Sequence, residues 1–313
     1  MTAPTGRRPR HVTVEGRRVC HRVDGDGPPV LLLHGIGRTL RDFDDLHERL
    51  AGSFRVHSVD LPGYGNSLPM TAPYTLPNLA RFVGHYLDAV GVDQPVRLVG
   101  NSLGGAIAMR FATTEPDRVA SLALVNPAGF GREVTIALRL LALRPLGRLL
   151  LRPTRYAARR AELSLFHDPA HATAERIAYA LEVARQPHAA RVMLETARNL
   201  GTFRGVSPQW REELLAQVEQ LDVPTLVVWG DRDLILPANH LDAARARLPR
   251  ARTHLFDKCG HMPQIECAEE FHDLLRDFWA TDCDRTAVDD SPAGADSAPA
   301  GGADGRERMA EAG

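Results

Sequence analysis

Lysine is almost missing from this 313-residue chain: Lys258 is the single one among 38 basic side chains, and the others are all arginine. With Ala, Leu and Pro abundant, that reads as the coding bias of a GC-rich genome and not as a phosphate-binding surface. Net charge is missing too. The 38 basic and 39 acidic residues leave a formal charge of -1, so no global field draws the chain to nucleic acid, and any charged partner must be met locally. Cysteine is scarce: Cys20, Cys259, Cys267 and Cys283 lie without metal-type pairs or the density of a disulfide scaffold. That excludes a small stapled domain and favours a reducing, cytoplasmic setting. No apolar run is as long as a membrane span. Residues 1–10 carry Arg and Pro but are not followed by the apolar stretch of a secretory signal. Large apolar residues are also absent from most of 281–313, which predicts a disordered C-terminal tail.

What remains is ordinary globular composition, 44% hydrophobic and 25% charged, enough for one large domain with an insertion. Short β-branched runs at 30–33, 55–59, 96–99, 120–125, 225–229 and 252–256 read as strands buried on both faces. Helical patterns at 40–50, 76–90, 103–114, 241–248 and 269–280 alternate with them. A hairpin of 11–15 and 18–23, turning at Gly16, adds an antiparallel edge. The expected architecture is α/β: a mostly parallel eight-stranded sheet with helices on both faces. After Pro127 the alternation breaks for about ninety largely helical residues, longer than any loop. We expect core from 1–128 and 223–280, a helical cap at 129–222 and the tail at 281–313.

Chemistry concentrates at Gly100-Asn101-Ser102-Leu103-Gly104, a G-x-S-x-G between a strand and a helix. A nucleophile on so tight a turn sits on a strained backbone, and Gly100 and Gly104 remove the Cβ atoms that would collide as strand and helix approach. The plainer alternative, a glycine-flanked turn with an incidental serine, is common, so the motif needs partners. A serine hydroxyl needs a general base, and the base needs a group that fixes its tautomer. Of thirteen histidines, His261 lies after the last expected strand and before the last helix, where the loop opens at the carboxyl edge of the sheet. His254, inside a strand pattern, reads as structural. For the acid, Trp229-Gly230-Asp231-Arg232-Asp233 ends a strand with two carboxylates. Asp233 is assigned to face His261 and Asp231 to the turn. The other place for an acid in this architecture, the end of the preceding strand, holds Asn126, which cannot supply the charge.

A tetrahedral intermediate also needs donors for its oxyanion. Leu103 N–H, next to the nucleophile, is one. The second is assigned to Ile36 N–H in the loop His34-Gly35-Ile36-Gly37, with His34 orienting the loop and taking no proton from substrate. No cofactor and no metal is called for.

Five blocks in order, those at His34–Gly37, Asp60–Ser67, Ser102, Trp229–Pro237 and Gly260-His261 with Glu266 following, resemble the α/β-hydrolase superfamily over about residues 10 to 280. The resemblance implies the α/β-hydrolase fold with an inserted cap, a structural turn at Asp60 and Ser67, and the catalytic histidine at His261. Dehalogenases and epoxide hydrolases of this fold use aspartate as nucleophile, so serine here disfavours both reactions. Carbon-carbon bond hydrolases of ring-fission products use serine and share the look of residues 99–105. In them, however, the oxyanion loop continues Gly-Pro-Gly where Arg38 and Thr39 stand here, and an aromatic residue often follows the histidine where Met262 stands here.

The expected function is therefore cleavage of carboxylic esters of small to medium apolar substrates, with carbon-carbon hydrolysis as the alternative. A low-turnover ligand-binding protein of hydrolase architecture is a third reading, disfavoured because a binding module has no need of all three residues. From Arg132 to Arg160 the cap carries eight arginines against Glu133. The plain reading is leucines packed inward and arginines solvated. The sharper one is weak peripheral contact with anionic lipid. Pro145 and Pro153 should divide that segment into short helices.

Overall fold

The computed structural model describes residues 9–283, apart from the side chains at 144–146 and 282–283. Most of the expected tail, 284–313, lies outside the described residues. Strands β1 (Arg10–Val14) and β2 (Arg17–Asp24) form the hairpin, followed by β3 (Pro29–Leu33), a short 3-10 turn (Leu40–Phe43), helix α1 (Asp44–Leu50), β4 (Arg55–Val59), α2 (Leu76–Ala89), β5 (Val96–Asn101), α3 (Leu103–Thr114) and β6 (Val119–Val125). Then come α4 (Ile136–Leu141), α5 (Arg144–Leu150), α6 (Arg155–Leu163), α7 (Ala174–Ala184), α8 (Ala189–Leu200), the two-residue strands β7 (Gly201–Thr202) and β8 (Gly205–Val206), and α9 (Pro208–Val218). β9 (Thr225–Gly230), α10 (His240–Arg247), β10 (Arg252–Phe256), the single turn α11 (Pro263–Glu266) and α12 (Ala268–Phe278) complete the chain. A further helical turn, Trp279–Cys283, runs past the point at which the sequence pattern places the start of the tail.

The eight-stranded sheet has the order β1-β2-β4-β3-β5-β6-β9-β10. β2 is antiparallel to both its neighbours and every other pairing is parallel. The near-continuous apolarity of the central strands follows from burial on both faces. Leu31, Leu33, Leu98, Leu122, Val227 and Trp229 pack on one side with α2, α3 and α9. Val30, Leu32, Val99, Ala123 and Val228 pack on the other with α1 and α12, through Leu46, Phe271 and Leu275. Burying each such side chain contributes roughly 2 kcal/mol.

Between β6 and β9 the regular elements are helices, apart from the small β7–β8 hairpin, an element without a sequence pattern of its own. α9, although inside this stretch, packs on the core layer: Leu214, Leu215 and Val218 are buried there, and Arg110 of α3 donates to Gln217 at 2.7 Å and Glu213 at 2.9 Å. Pro145 falls in the first turn of α5, where a missing N–H costs nothing, and Pro153 falls between α5 and α6. Among the described residues no helix is long and apolar enough to cross a membrane.

Candidate active site

The parallel strands all point their carboxyl ends to one edge, and the turns after β3, β5, β6, β9 and β10 meet there. Ser102 stands between β5 and α3 with φ 55° and ψ -113°, a left-handed conformation that costs on the order of 1–3 kcal/mol for a non-glycine residue. Its surroundings hold it in place. Ser102 N–H donates to Val125 O at 2.9 Å, and its carbonyl accepts from Gly105, Ala106 and Ala128 N–H. Glycine is required on both sides of the turn: a Cβ at Gly104 would lie 2.0 Å from Leu33 O, and one at Gly100 2.4 Å from Gly104 O.

Asp233 and His261 meet. His261 Nδ1 lies 2.7 Å from Asp233 Oδ2, which leaves Nε2 as the ring nitrogen able to exchange a proton with another group. The carboxylate is fully buried and every lone-pair direction is used: Oδ1 accepts from Ile235 N–H at 2.7 Å and Leu236 N–H at 3.0 Å, and Oδ2 also accepts from the Asn126 side-chain amide at 2.6 Å. That acceptor pattern suits the ionised form. Asn126 thus occupies the alternative acid position and donates to the acid, a role the sequence reading did not give it. Asp231 turns away and accepts from Cys259 N–H at 3.1 Å.

The His261 loop is anchored from three directions. Asn101 donates to His261 O at 3.1 Å, Glu266 accepts from Gly260 N–H at 2.6 Å, and His261 N–H donates to Leu165 O, beyond α6, at 2.7 Å. Neither Asn101 nor Leu165 had been marked by the sequence. His254 pairs with Glu270 at 3.2 Å, away from this loop.

His34 sits behind the loop it was expected to orient. Leu61 N–H donates to its Nε2 at 2.9 Å, so Nδ1 carries the proton and donates to Gly35 O at 2.8 Å. Burial pushes this imidazole down to about 4, which keeps it neutral. Gly35 O also accepts from Arg38 N–H at 3.2 Å, closing a tight turn whose third residue, Gly37, has φ 70°, the conformation for which such a turn selects glycine. A Cβ on Gly35 would lie 3.2 Å from Ser102 Cβ, so the loop lies directly against the serine. Asp60 holds the neighbouring turn, accepting from Leu40 and Asn66 N–H at 2.8 Å each, and Ser67 Oγ donates to Asp60 O at 2.7 Å.

Ile36, Ser102 and Leu103 together line a half-open apolar cavity, walled by Ala106, Ala128, Leu138, Leu200, Trp210 and Ile235, with Arg139 its one charged side chain. Among the described residues no backbone partner accepts from Ile36 N–H or Leu103 N–H, and no cluster of His, Cys, Asp and Glu has a metal-binding arrangement.

A serine on a strained turn, a buried His–Asp pair and a glycine loop thus gather at the carboxyl edge of this sheet. The chain matches the alpha/beta hydrolase fold family over residues 28–268 and belongs to that family. It is similar to the dihydrolipoyllysine-residue acetyltransferase component of the acetoin cleaving system of Cupriavidus necator, 34% identical over 84% of this chain and 67% of that one. It is also similar to the 2-hydroxy-6-oxo-6-phenylhexa-2,4-dienoate hydrolase of Comamonas testosteroni, 29% identical over 81% of this chain and 88% of that one. Among solved structures, a membrane phospholipase A described as a bacterial virulence factor superposes with a TM-score of 0.73 at 25% identity, covering 91% of this chain and 88% of that one.

Proposed function

We propose that the chain is a serine hydrolase that cleaves carboxylic esters of small to medium apolar substrates through an acyl-enzyme. The observation that carries the reading is the 2.7 Å bond from His261 to the buried Asp233, in a loop tied by Asn101 to the turn of Ser102. Ser102 Oγ attacks the ester carbonyl while His261 Nε2 takes its proton. Asp233 holds the ring and stabilises the imidazolium. Ile36 and Leu103 N–H hold the oxyanion, each worth roughly 3 kcal/mol of transition-state stabilisation. His261 then gives its proton to the departing alcohol, and a water activated by the same ring releases the acid. Each step uses groups of the chain itself.

The apolar cavity beside Ser102 supports an acyl group without charge as the part bound there. Similarity to a dienoate hydrolase supports a second reading, hydrolysis of a carbon-carbon bond in a keto-bearing ring-fission product. Arg38 and Met262, which depart from the pattern of such enzymes, favour the ester. A fluorophosphonate should label the wild type and leave Ser102→Ala unlabelled. An unlabelled wild type defeats the reading. A panel of chromogenic esters set against a ring-fission dienoate separates the two chemistries, and faster turnover of the dienoate would favour the second.

A further inference from the structure

The exposed apolar side chains are unevenly distributed. Ile136, Leu143, Leu149, Leu150 and Tyr156 all fall on α4–α6 and the turns between them, with Leu149 53% and Tyr156 73% exposed, and Phe203 joins them from the β7–β8 hairpin. Along 148–156 every residue except Leu151 is exposed. A water-facing helix pair has no need of such side chains.

The arginines among them are unusual as well. Between Glu133 and Glu162 the chain has no acidic residue. Elsewhere on the surface many arginines are paired, as in Arg118–Asp88, Arg245–Asp242, Arg247–Glu219 and Arg250–Asp222, and Arg81, Arg185 and Arg276, without an acidic partner among the described residues, stand apart from one another in the sequence. Arg148, Arg152 and Arg155 have no acidic partner among the described residues. Leucines and a tyrosine interleaved with unpaired arginines, on short helices, form the amphipathic pattern of an interfacial surface, in which the arginine stems stay apolar and the guanidinium groups reach phosphate.

This face adjoins the cavity. α4 packs on α5, and its Leu138 and Arg139 line the space at Ser102. Arg139 Nε donates to Phe203 O at 2.7 Å, binding α4 to the hairpin whose Thr202 and Gly205 form the same wall. α4 therefore presents one side to the cavity, and α5, packed on it, carries the exposed face outward. A second copy of the chain is a poor occupant, because a two-fold contact would set unpaired arginines against each other.

We propose that the exposed face of α4–α6 seats on an anionic lipid surface, with Leu149, Leu150 and Tyr156 entering the headgroup layer between arginines, and that the substrates are acyl esters drawn from that layer. The substrate half rests on the ester reading above; the seat does not.

The test is co-sedimentation of the full chain with vesicles of phosphatidylcholine alone or mixed with phosphatidylglycerol. Binding should be at least about tenfold stronger to the mixed vesicles and should weaken as salt rises. Leu149→Asp/Leu150→Asp should lower binding by about tenfold or more, and Arg148→Gln/Arg152→Gln/Arg155→Gln should remove its salt dependence. Both variants should hydrolyse a soluble short-chain ester as the wild type does. Equal binding to the two vesicles, or none, overturns the proposal. A dimer that Leu149→Asp/Leu150→Asp converts to monomer also overturns it, by making a second copy the occupant. Vesicle binding without turnover of the soluble ester would support the seat and defeat the ester reading, so the two failures are distinct.

Discussion

The side-chain amide of Asn126 lies 2.6 Å from the Asp233 oxygen that also receives the His261 ring. Asn126 has φ 44°, a backbone conformation that Asn and Asp tolerate better than other side chains, so aspartate can replace it with little added strain. The end of β6 and the turn after β9 thus bring their side chains together beside one histidine, and a carboxylate moved from position 233 to 126 can be tested there. Asp233→Asn should lower kcat by about ten-thousandfold through loss of the charge that fixes the imidazole. The double variant Asp233→Asn/Asn126→Asp should recover at least about tenfold of that loss, because the same amide–carboxylate pair is restored with its members exchanged. Steady-state kinetics on a chromogenic ester decide it. A double variant no faster than Asp233→Asn would show that a carboxylate at position 126 does not reach His261.

Arg38 belongs to a group of four charges in which both carboxylates are buried and both guanidinium groups are partly exposed. It grips Asp42 with two bonds of 2.8 and 2.7 Å and reaches Glu162 of α6, while Arg176 of α7 bonds Asp42 at 3.1 Å. Two helices of the insertion are thereby tied to the residue that closes the Ile36 turn. Arg38→Met leaves Glu162, 1% exposed, without a counter-charge and should cost about 3–5 kcal/mol. Adding Glu162→Leu should return part of it, since Asp42 keeps Arg176. Urea unfolding of the wild type, both single variants and the double variant closes the cycle. Additive effects would show that the pair is not coupled.

The sheet was legible because its strands are buried on both faces and so read as unbroken apolar runs. Ser102 and its flanking glycines were legible because close backbone contact between β5, α3 and β3 leaves no other residue type. Asn126, Asn101 and Leu165 were not, because each acts through a contact more than twenty residues away along the chain, with an amide or carbonyl that carries no pattern. Cys259 and Cys267 read as scattered, yet the fold sets their thiols close enough, on either side of the His261 loop, for each to shift the other's ionisation. The β7–β8 hairpin escaped because two-residue strands fall below any periodicity. Charge pairing escaped for a different reason: arginine is so frequent here that Arg38 does not stand out from the rest.

Buried histidines make the fold sensitive to acid. Burial pushes His34 and His47 down to about 4 and His57 to about 3, from 6.5. Below pH 6.5 the unfolded chain takes up protons that these rings refuse in the folded state, so their stabilisation is complete above 6.5 and drains as the pH falls toward 4. Asp60 opposes this. Burial raises it from 3.8 to about 6, so the folded chain holds a proton there that the unfolded chain releases. Half-exposed Asp44 acts in the same direction, more weakly. His240, also buried, is lowered in the same way, so the buried rings outnumber the one fully buried carboxyl that is raised and the balance favours unfolding in acid. Urea midpoints measured from neutral pH down to about 4.5 should fall steadily. His57→Phe, which removes a ring whose Nε2 has no partner, should flatten the slope. A midpoint independent of pH across that range would contradict the assignment.

On the ester reading, the cavity at Ser102 is the part of the site that would select among acyl groups. Its walls include three alanines from separate elements: Ala106 on α3, Ala128 after β6 and Ala197 on α8. Ala106 is fully buried one turn beyond the nucleophile, so a larger side chain there crowds the elbow itself. Ala197 belongs to α8, a helix of the insertion separate from the serine turn, and lines the same space. Ala197→Phe should therefore shorten the cavity and leave the turn at Ser102 undisturbed. Each methylene excluded from an apolar pocket changes kcat/KM by roughly 1–3 kcal/mol, so the longest esters accepted by the wild type should lose at least about tenfold while acetate esters keep their rate. Ala106→Leu should depress every ester alike. Chain-length profiles of the two variants on nitrophenyl esters make the comparison, and parallel losses in Ala197→Phe would place the acyl chain outside this cavity.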